Sequence, residues 1–157
     1  MLATLADAPL QDAGLVYEPK YDGIRAVIEV DLKGNGKGTT GGASVRIWSR
    51  LGNEKTLQFP EVVAAVARWA SAVRRQRAVV LDGEIVALDE QGQPTGFQGL
   101  QDRIHLTQER DVIRAAGARP VALVVFDLLR DGGDDLRGRP LLERRALLEA
   151  AVKGGLS

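Results

Sequence analysis

The chain has 157 residues, a formal net charge of +0 and a hydrophobic content of 45%, which is typical of one compact globular domain with its own core. It contains no cysteine and a single histidine, so disulfides, thiolate metal sites and a histidine cluster are excluded. No apolar run approaches the length of a membrane span, and no basic segment precedes an apolar one at the N-terminus, so a cytoplasmic protein is expected.

The first informative stretch is a turn that carries a lysine. The apolar residues Leu15–Tyr17 predict the end of a strand. Apolar and polar residues alternate from Ile24 to Asp31, which predicts a second, half-buried strand. Pro19 has no amide donor and Gly23 can adopt a positive φ, so the segment between the strands is predicted to be a tight turn. Lys20 would then be held on this turn.

The next elements are a loop, a strand, a turn and a helix. Residues 33–42 contain five glycines and predict a hairpin loop, after which Ser44–Trp48 continue as a strand. Ser49–Asn53 have the composition of a turn. Pro60 is suited to a first helical position, and a helix is predicted to continue to Arg75. Its core-facing residues are expected to be Val62, Val63, Val66, Trp69, Ala70 and Val73.

Two acidic residues interrupt an apolar run from Ala78 to Leu88. Because a buried carboxylate is costly unless it is paired or coordinates something, Asp82 and Glu84 indicate a site. The alternative is that both acids lie on an edge strand and face solvent. The residues that follow, Asp89–Pro94, have the composition of a turn.

The C-terminal half predicts two helices and one strand. Thr107 is predicted to cap a helix over residues 108–116, which Gly117 would end. The nearly continuous apolar run Val121–Leu129 predicts a strand that is buried on both faces. Phe126 lies within this run, and a role in the core is a close alternative to a role in binding. A last helix is predicted from Leu141 to about Val152.

A neutral chain needs a local cluster of basic residues if it binds DNA. Three candidate groups are Arg46 with Arg50, then Arg68, Arg74, Arg75 and Arg77, and finally Arg137, Arg139, Arg144 and Arg145. The arginines at 74–77 are better explained as the solvated end of a helix, where they complement the helix dipole.

Four short motifs occur in the order and spacing of one enzyme superfamily. K-x-D-G-x-R at residues 20–25 resembles motif I of the covalent nucleotidyltransferases, which are DNA ligases, RNA ligases and mRNA capping enzymes. S-R-x-G-N at 49–53 resembles motif Ia of DNA ligases, L-D-G-E-I-V at 81–86 resembles motif III, and F-D-L-L at 126–129 resembles motif IIIa. F-x-x-L-Q-x-R at 97–103 resembles the ligase segment that follows motif III. The resemblance is greatest to bacterial end-joining ATP-dependent DNA ligases.

This resemblance implies an α+β fold of antiparallel sheets flanked by helices, as in the ATP-grasp-like nucleotidyltransferase domain of DNA ligases. Residues 1–157 would form an incomplete, N-terminal portion of that adenylation domain. Segments resembling motifs IV and V and the OB-fold are not found in these residues, so the chain alone is expected to ligate weakly or not at all.

The resemblance also assigns residues and cofactors. Lys20 would be the catalytic nucleophile that attacks ATP, assisted by Mg²⁺ or Mn²⁺. A free lysine titrates near ~10.4 and attacks only when neutral, so such a site has to favour the neutral amine. The implied nucleotide contacts are Glu18 near the adenine edge, Arg25 near the ribose or nick, Glu84 near the ribose or a metal, and Phe126 on the adenine ring. The implied contacts at the DNA nick are Arg50 and Asp82.

The implied function is nick sealing in DNA repair through a lysyl-AMP intermediate. The expected partners are nicked double-stranded DNA and ATP, with the end-bridging protein Ku and a polymerase module as further candidates, in a nucleoid-associated location. One alternative is a non-catalytic nucleotide- or DNA-binding remnant. Another is an RNA ligase or capping-type enzyme. Uncovered strand edges, above all in Val121–Leu129, predict that the chain self-associates.

Overall fold

A computed structural model describes residue 11 and residues 15–31, 43–72 and 78–152. The described elements, in chain order, are β1 (Ile24–Asp31), β2 (Ser44–Ser49), α1 (Pro60–Ala72), β3 (Val79–Ala87), α2 (Gln98–Gln101), α3 (Glu109–Ala118), β4 (Val121–Asp131), β5 (Asp134–Asp135) and α4 (Leu141–Val152). The strands form one antiparallel sheet with the order β2-β1-β3-β4-β5. None of the helices in these residues is long and apolar enough to cross a membrane.

The core lies between the sheet and α1. In β1 the alternate residues Ala26, Ile28 and Val30 are buried, as the period of two in the sequence predicts. They share one apolar cluster with α1, which contributes Val62, Val66, Ala67, Trp69 and Ala70. The predicted face of this helix is therefore confirmed over residues 60–72, while Val73 and the arginines at 74, 75 and 77 lie outside the described residues.

Three predictions about local structure are wrong. Leu15–Tyr17 are not a strand but an exposed part of an irregular segment that leads into β1. The helix α3 begins at Glu109, and its N-cap residue is Gln108 rather than the predicted Thr107, with no side-chain hydrogen bond from that residue. Gly117 lies inside the helix rather than after its end. The apolar composition of Leu15–Tyr17 does not suffice for a strand, because no described strand lies beside these residues.

The strand β3 is central in the sheet, between β1 and β4. Asp82 is only 1% exposed and Glu84 is half-buried. The alternative in which the two acids lie on a solvent-facing edge strand is therefore excluded.

The strand β4 is less buried than its apolar sequence predicts. Residues 121–126 are half-buried, and only Asp127, Leu128 and Leu129 are buried. Within the described residues, β5 pairs with β4 only at Arg130 and Asp131, so the outer edge of β4 from residue 121 to 128 has no strand beside it. The prediction of burial on both faces is wrong for this part of the strand.

Candidate active site

The sheet carries its polar residues on the face opposite the apolar core. The register places Arg25 opposite Glu84 on the neighbouring strand and Val27 opposite Asp82. Asp82 in turn lies opposite Asp127 of β4. Because side chains of one face recur every second residue, these groups project to the same side.

A shift in register brings Phe126 into this region. Asp82 pairs with Asp127, whereas the next residue, Gly83, pairs with Val125. One residue of β4, Phe126, is therefore left between the two pairs as a β-bulge, a feature that can redirect a side chain. The half-buried Phe126 ring lines the same pocket as Asp82 and Asp127.

This pocket has a volume of about 810 Å³. It brings together all seven predicted catalytic, nucleotide-binding and nick-contacting residues. These residues come from the segment before β1, from the turn after β2, and from the strands β1, β3 and β4. The pocket is lined by Glu18, Lys20, Arg25, Arg50, Asp82, Glu84 and Phe126, and in addition by Pro19, Tyr21, Val124, Val125, Asp127, Leu141 and Arg145.

The segment carrying Lys20 is fixed to β3 through Gly23. The Gly23 amide donates to Oε1 of Glu84 at 3.2 Å. A Cβ on Gly23 would lie 2.2 Å from the carbonyl oxygen of Ile85, a distance that two such atoms cannot adopt. The φ of Gly23 does not lie in the left-handed region, so the predicted reason for this glycine is wrong. It is needed because the backbone of the segment approaches β3 closely.

Arg25 and Asp82 form a bidentate ion pair at the floor of the pocket. Nε of Arg25 donates to Oδ1 at 3.0 Å and Nη2 donates to Oδ2 at 2.5 Å. These hydrogen bonds raise the pKa of Arg25 above its ordinary value, with burial acting in the opposite direction. Asp82 itself is 1% exposed, and both of its carboxylate oxygens accept hydrogen bonds from Arg25.

Glu84 is the pocket carboxylate with a raised affinity for protons. Burial raises its pKa above the ordinary value, and the opposing effects of the Gly23 amide and of Arg25 are smaller. The carboxylate therefore faces the pocket as an acceptor whose charge is less well solvated than that of a surface glutamate.

A second buried ion pair joins α4 to β4. Arg144 donates from Nε to Oδ1 of Asp127 at 2.8 Å and from Nη2 to Oδ2 at 2.7 Å, and also to the carbonyl of Arg139. The Asp127 carboxylate also accepts from the Leu128 amide at 2.8 Å. Arg144 was a candidate for contacting DNA, and its burial shows that this prediction is wrong.

Arg50 lies on an ordered turn at the edge of the pocket. The Ser49 amide donates to the carbonyl of Asn53 at 2.9 Å, and the Gly52 amide donates to the carbonyl of Ser49 at 2.9 Å. Gly52 has a φ of 76°, which a residue without a side chain adopts readily. Arg50 itself is exposed, so its guanidinium is available to a ligand above the pocket.

Comparison with known proteins identifies the family. A model described as the ATP dependent DNA ligase domain matches residues 1–156. The chain belongs to this family. It is 38% identical over 154 residues to DNA ligase C of Mycobacterium tuberculosis, covering 98% of the chain and 37% of that protein. It is 39% identical over 139 residues to DNA ligase C2 of Mycolicibacterium smegmatis, covering 88% and 34%.

Solved structures show the same fold. A mycobacterial DNA ligase D complexed with ATP and MES superimposes with a TM-score of 0.63 and 30% sequence identity, over 88% of this chain and 36% of that one. The chain therefore spans little more than a third of the length of these ligases. The predicted fold class, an antiparallel sheet with flanking helices as in the ligase nucleotidyltransferase domain, is confirmed.

The described residues contain no group of three histidine, cysteine, aspartate or glutamate side chains that could hold a divalent metal. Mg²⁺, however, is commonly held by one or two carboxylates together with phosphate oxygens and waters. Glu84 offers one such carboxylate on the pocket wall, so the donor set suits a metal that is shared with a nucleotide.

Two charged residues that line the pocket were not assigned to it from the sequence. Asp127 anchors α4. It is an acidic residue within an apolar run, which is the same sequence signal that indicated a site at Asp82. Arg145 was assigned only to a possible DNA-binding surface, but it pairs with Glu18 across the pocket. No sequence signal connects these two positions, which are 127 residues apart.

Of the other arginines predicted as candidates for DNA contact, some form ion pairs and others are exposed to solvent. Arg46 pairs with Glu29 at 3.2 Å, and the exposed Arg137 pairs with Asp135 at 2.6 Å. Arg68 and Arg139 are exposed. Besides Arg145, which pairs with Glu18, Arg50 is the candidate for DNA contact that lines the pocket.

Proposed function

We propose that the chain is the N-terminal part of the adenylation module of an ATP-dependent DNA ligase, with Lys20 as its nucleophile. The observation that carries this proposal is the convergence of Lys20, Arg25, Glu84 and Phe126 on one pocket. The lysine can serve as a nucleophile, the fixed guanidinium can stabilise negative charge on the phosphates, and the carboxylate and the aromatic ring can orient a nucleotide. The family to which the chain belongs supports the same conclusion.

In the proposed reaction the neutral Nζ of Lys20 attacks the α-phosphorus of ATP. A P–N bond forms, the bond to the bridging oxygen breaks, pyrophosphate leaves with the bond electrons, and the amine loses a proton to solvent. The AMP then passes to the 5′-phosphate of nicked DNA, and the 3′-hydroxyl displaces it as the nick is sealed. These later steps are proposed for the protein in its longest form, since the chain spans 37% of DNA ligase C.

The other pocket residues are proposed to orient the nucleotide. Phe126 would stack on the adenine, which contributes on the order of 1–3 kcal/mol for a base on an aromatic ring. Arg25 would face the ribose or nick and Glu84 the ribose, and Glu18 would accept a hydrogen bond from the adenine edge. The Arg25–Asp82 pair supports this assignment because it fixes the guanidinium in one orientation.

Glu84 is also the proposed protein ligand for Mg²⁺ or Mn²⁺. When bound, such an ion neutralises charge on the phosphate oxygens during transfer. The carboxylate of Glu84 would have to be ionised to hold it, and burial disfavours that form. The positive charge of the ion would offset this cost.

DNA contact is proposed for Arg50 at the edge of the pocket. Its forked guanidinium suits a phosphate at the nick, and its exposure leaves it accessible. The predicted contact from Asp82 would act through Arg25, which covers it. Association with Ku and a polymerase module at the nucleoid is proposed from the motif resemblance, and co-elution with purified Ku tests it.

The proposal is tested with ATP labelled at either the α- or the γ-phosphate. Incubation with metal should leave the α-label, but not the γ-label, bound to the protein. A chase with nicked DNA should move the label to the 5′-phosphate. GTP in place of ATP, and nicked RNA in place of DNA, test for a capping or RNA ligase activity. Retention of the γ-label, or the absence of any covalent label in the longest form, would contradict the proposal.

A further inference from the structure

We propose that Arg145 is a positioning residue of the nucleotide pocket: it holds Glu18, and with it the segment that carries Lys20, against the first turns of α4. This inference rests on the proposed function, and it adds a residue that sets the orientation of the base. Its starting observation is the ion pair between Nη2 of Arg145 and Oε1 of Glu18. Both residues line the pocket that contains Lys20.

The segment before β1 depends on side chains for its position. Residues 15–23 form no strand or helix, and residues 15–20 are exposed. Beyond the Gly23 contact with Glu84, Oδ2 of Asp22 accepts from the Phe97 amide at 3.2 Å. Both contacts lie on the C-terminal side of Lys20. The Arg145–Glu18 pair lies on its N-terminal side, so the lysine is held from both directions.

The helix that carries Arg145 is itself well fixed. The preceding residue, Arg144, is buried and pairs with Asp127 of the sheet. The backbone position of Arg145 is therefore set by a bidentate contact one residue away. A charged side chain on a fixed helix can orient a carboxylate on an irregular segment, because the helix holds the position of the charge.

The pair also presents Glu18 in a way that distinguishes bases. Arg145 contacts Oε1, and among the described residues Oε2 has no protein donor. An ionised carboxylate only accepts hydrogen bonds. Adenine offers an exocyclic amino group at its six position, where guanine has a carbonyl oxygen. An oriented Glu18 therefore favours adenine and disfavours guanine.

The pair is partly exposed, with side-chain accessibilities of 30% and 35%, so solvent screens it and its effect is expected to be modest. Loss of the pair should weaken ATP binding by about two- to fivefold. The matched control is Arg110→Ala, which removes an exposed arginine from α3, away from the pocket.

The test uses Arg145→Ala, Glu18→Ala, the double variant and Arg145→Lys. Without nucleotide, the NMR backbone order parameters of residues 15–23 should fall in both single alanine variants, and not in Arg110→Ala. Calorimetry should show weaker ATP binding without any loss of GTP binding, and partial recovery of ATP binding in Arg145→Lys. Because Arg145 is proposed to act through Glu18, the double variant should bind ATP no more weakly than Glu18→Ala.

Two results would overturn the proposal. One is an unchanged set of order parameters in residues 15–23 of Arg145→Ala and Glu18→Ala, which would make the pair an incidental surface contact. The other is additive loss of ATP affinity in the double variant, which would show that Arg145 acts on the nucleotide independently. If no form of the protein binds ATP, the proposed function fails, while the order parameters still decide whether Arg145 holds the segment.

Discussion

Replacing Arg144 by alanine should destabilise the folded protein by about 3 kcal/mol. Removing one partner of a buried ion pair costs about 3–5 kcal/mol because the other charge is left without compensation. The Arg144 and Asp127 side chains are 6% and 8% exposed, and only the Leu128 amide would remain as a described donor to the carboxylate. We take the lower end of the range because Asp127 also lines the open pocket, where water can replace part of the lost interaction.

Urea unfolding and thermal melting measure this loss. A change of this size should lower Tm by roughly 6–12 °C in a domain of this length. The matched control is Arg137→Ala, which breaks an Arg–Asp pair of similar geometry whose side chains are 61% and 56% exposed. We expect no measurable change there, since solvent screens the pair. An equal loss of stability in Arg144→Ala and Arg137→Ala would refute the reasoning, because it would show that the loss does not depend on burial of the ion pair.

Arg50→Ala should weaken binding and sealing of nicked DNA but leave formation of the lysyl-AMP intact; gel-shift and labelling assays compare the two, and equal loss of both would place Arg50 in nucleotide binding or folding. The pKa of Glu84 is raised above its ordinary value of 4.5 in the folded protein. At a pH between these two values the folded state therefore binds more protons than the unfolded state, and the free energy of unfolding should fall as the pH rises. Urea titrations at several pH values should show a weaker dependence of stability on pH in Glu84→Gln. An unchanged dependence would contradict the idea that burial raises the pKa of Glu84. No described strand lies beside the outer edge of β4 over residues 121–128, and this edge should allow self-association of residues 1–157. Light scattering over a dilution series tests this, and a monomer at every concentration would contradict it.

The sequence predicted most where one physical cause dominates. The alternation of apolar and polar residues predicted β1 correctly because only one face of the sheet packs against the core. The helical spacing of apolar residues predicted the buried face of α1 for the same reason. The two acids of β3 indicated a site because a buried carboxylate needs a partner. For Asp82 that partner is Arg25.

The failures arise where contacts distant in sequence decide the structure. Leu15–Tyr17 are apolar but exposed, because no described strand pairs with them. The requirement for Gly23 depends on the carbonyl of Ile85, which local turn chemistry cannot indicate. Arg144 resembled a surface arginine in the sequence, and its burial depends on an acid in β4. Pairings of this kind need the three-dimensional register of the elements.

The most direct test of the account is to locate the AMP adduct. After incubation with ATP and Mg²⁺, intact-mass spectrometry should show addition of one AMP, and peptide mapping should place it on Lys20. Lys20→Ala and Lys20→Arg should both lose the adduct, because a guanidinium stays protonated and cannot act as the nucleophile. Lys55→Arg is the control, since Nζ of Lys55 donates to the carbonyl of Ile104 at 2.9 Å and does not line the pocket. An adduct at the wild-type level in Lys20→Ala would contradict the assignment of the nucleophile.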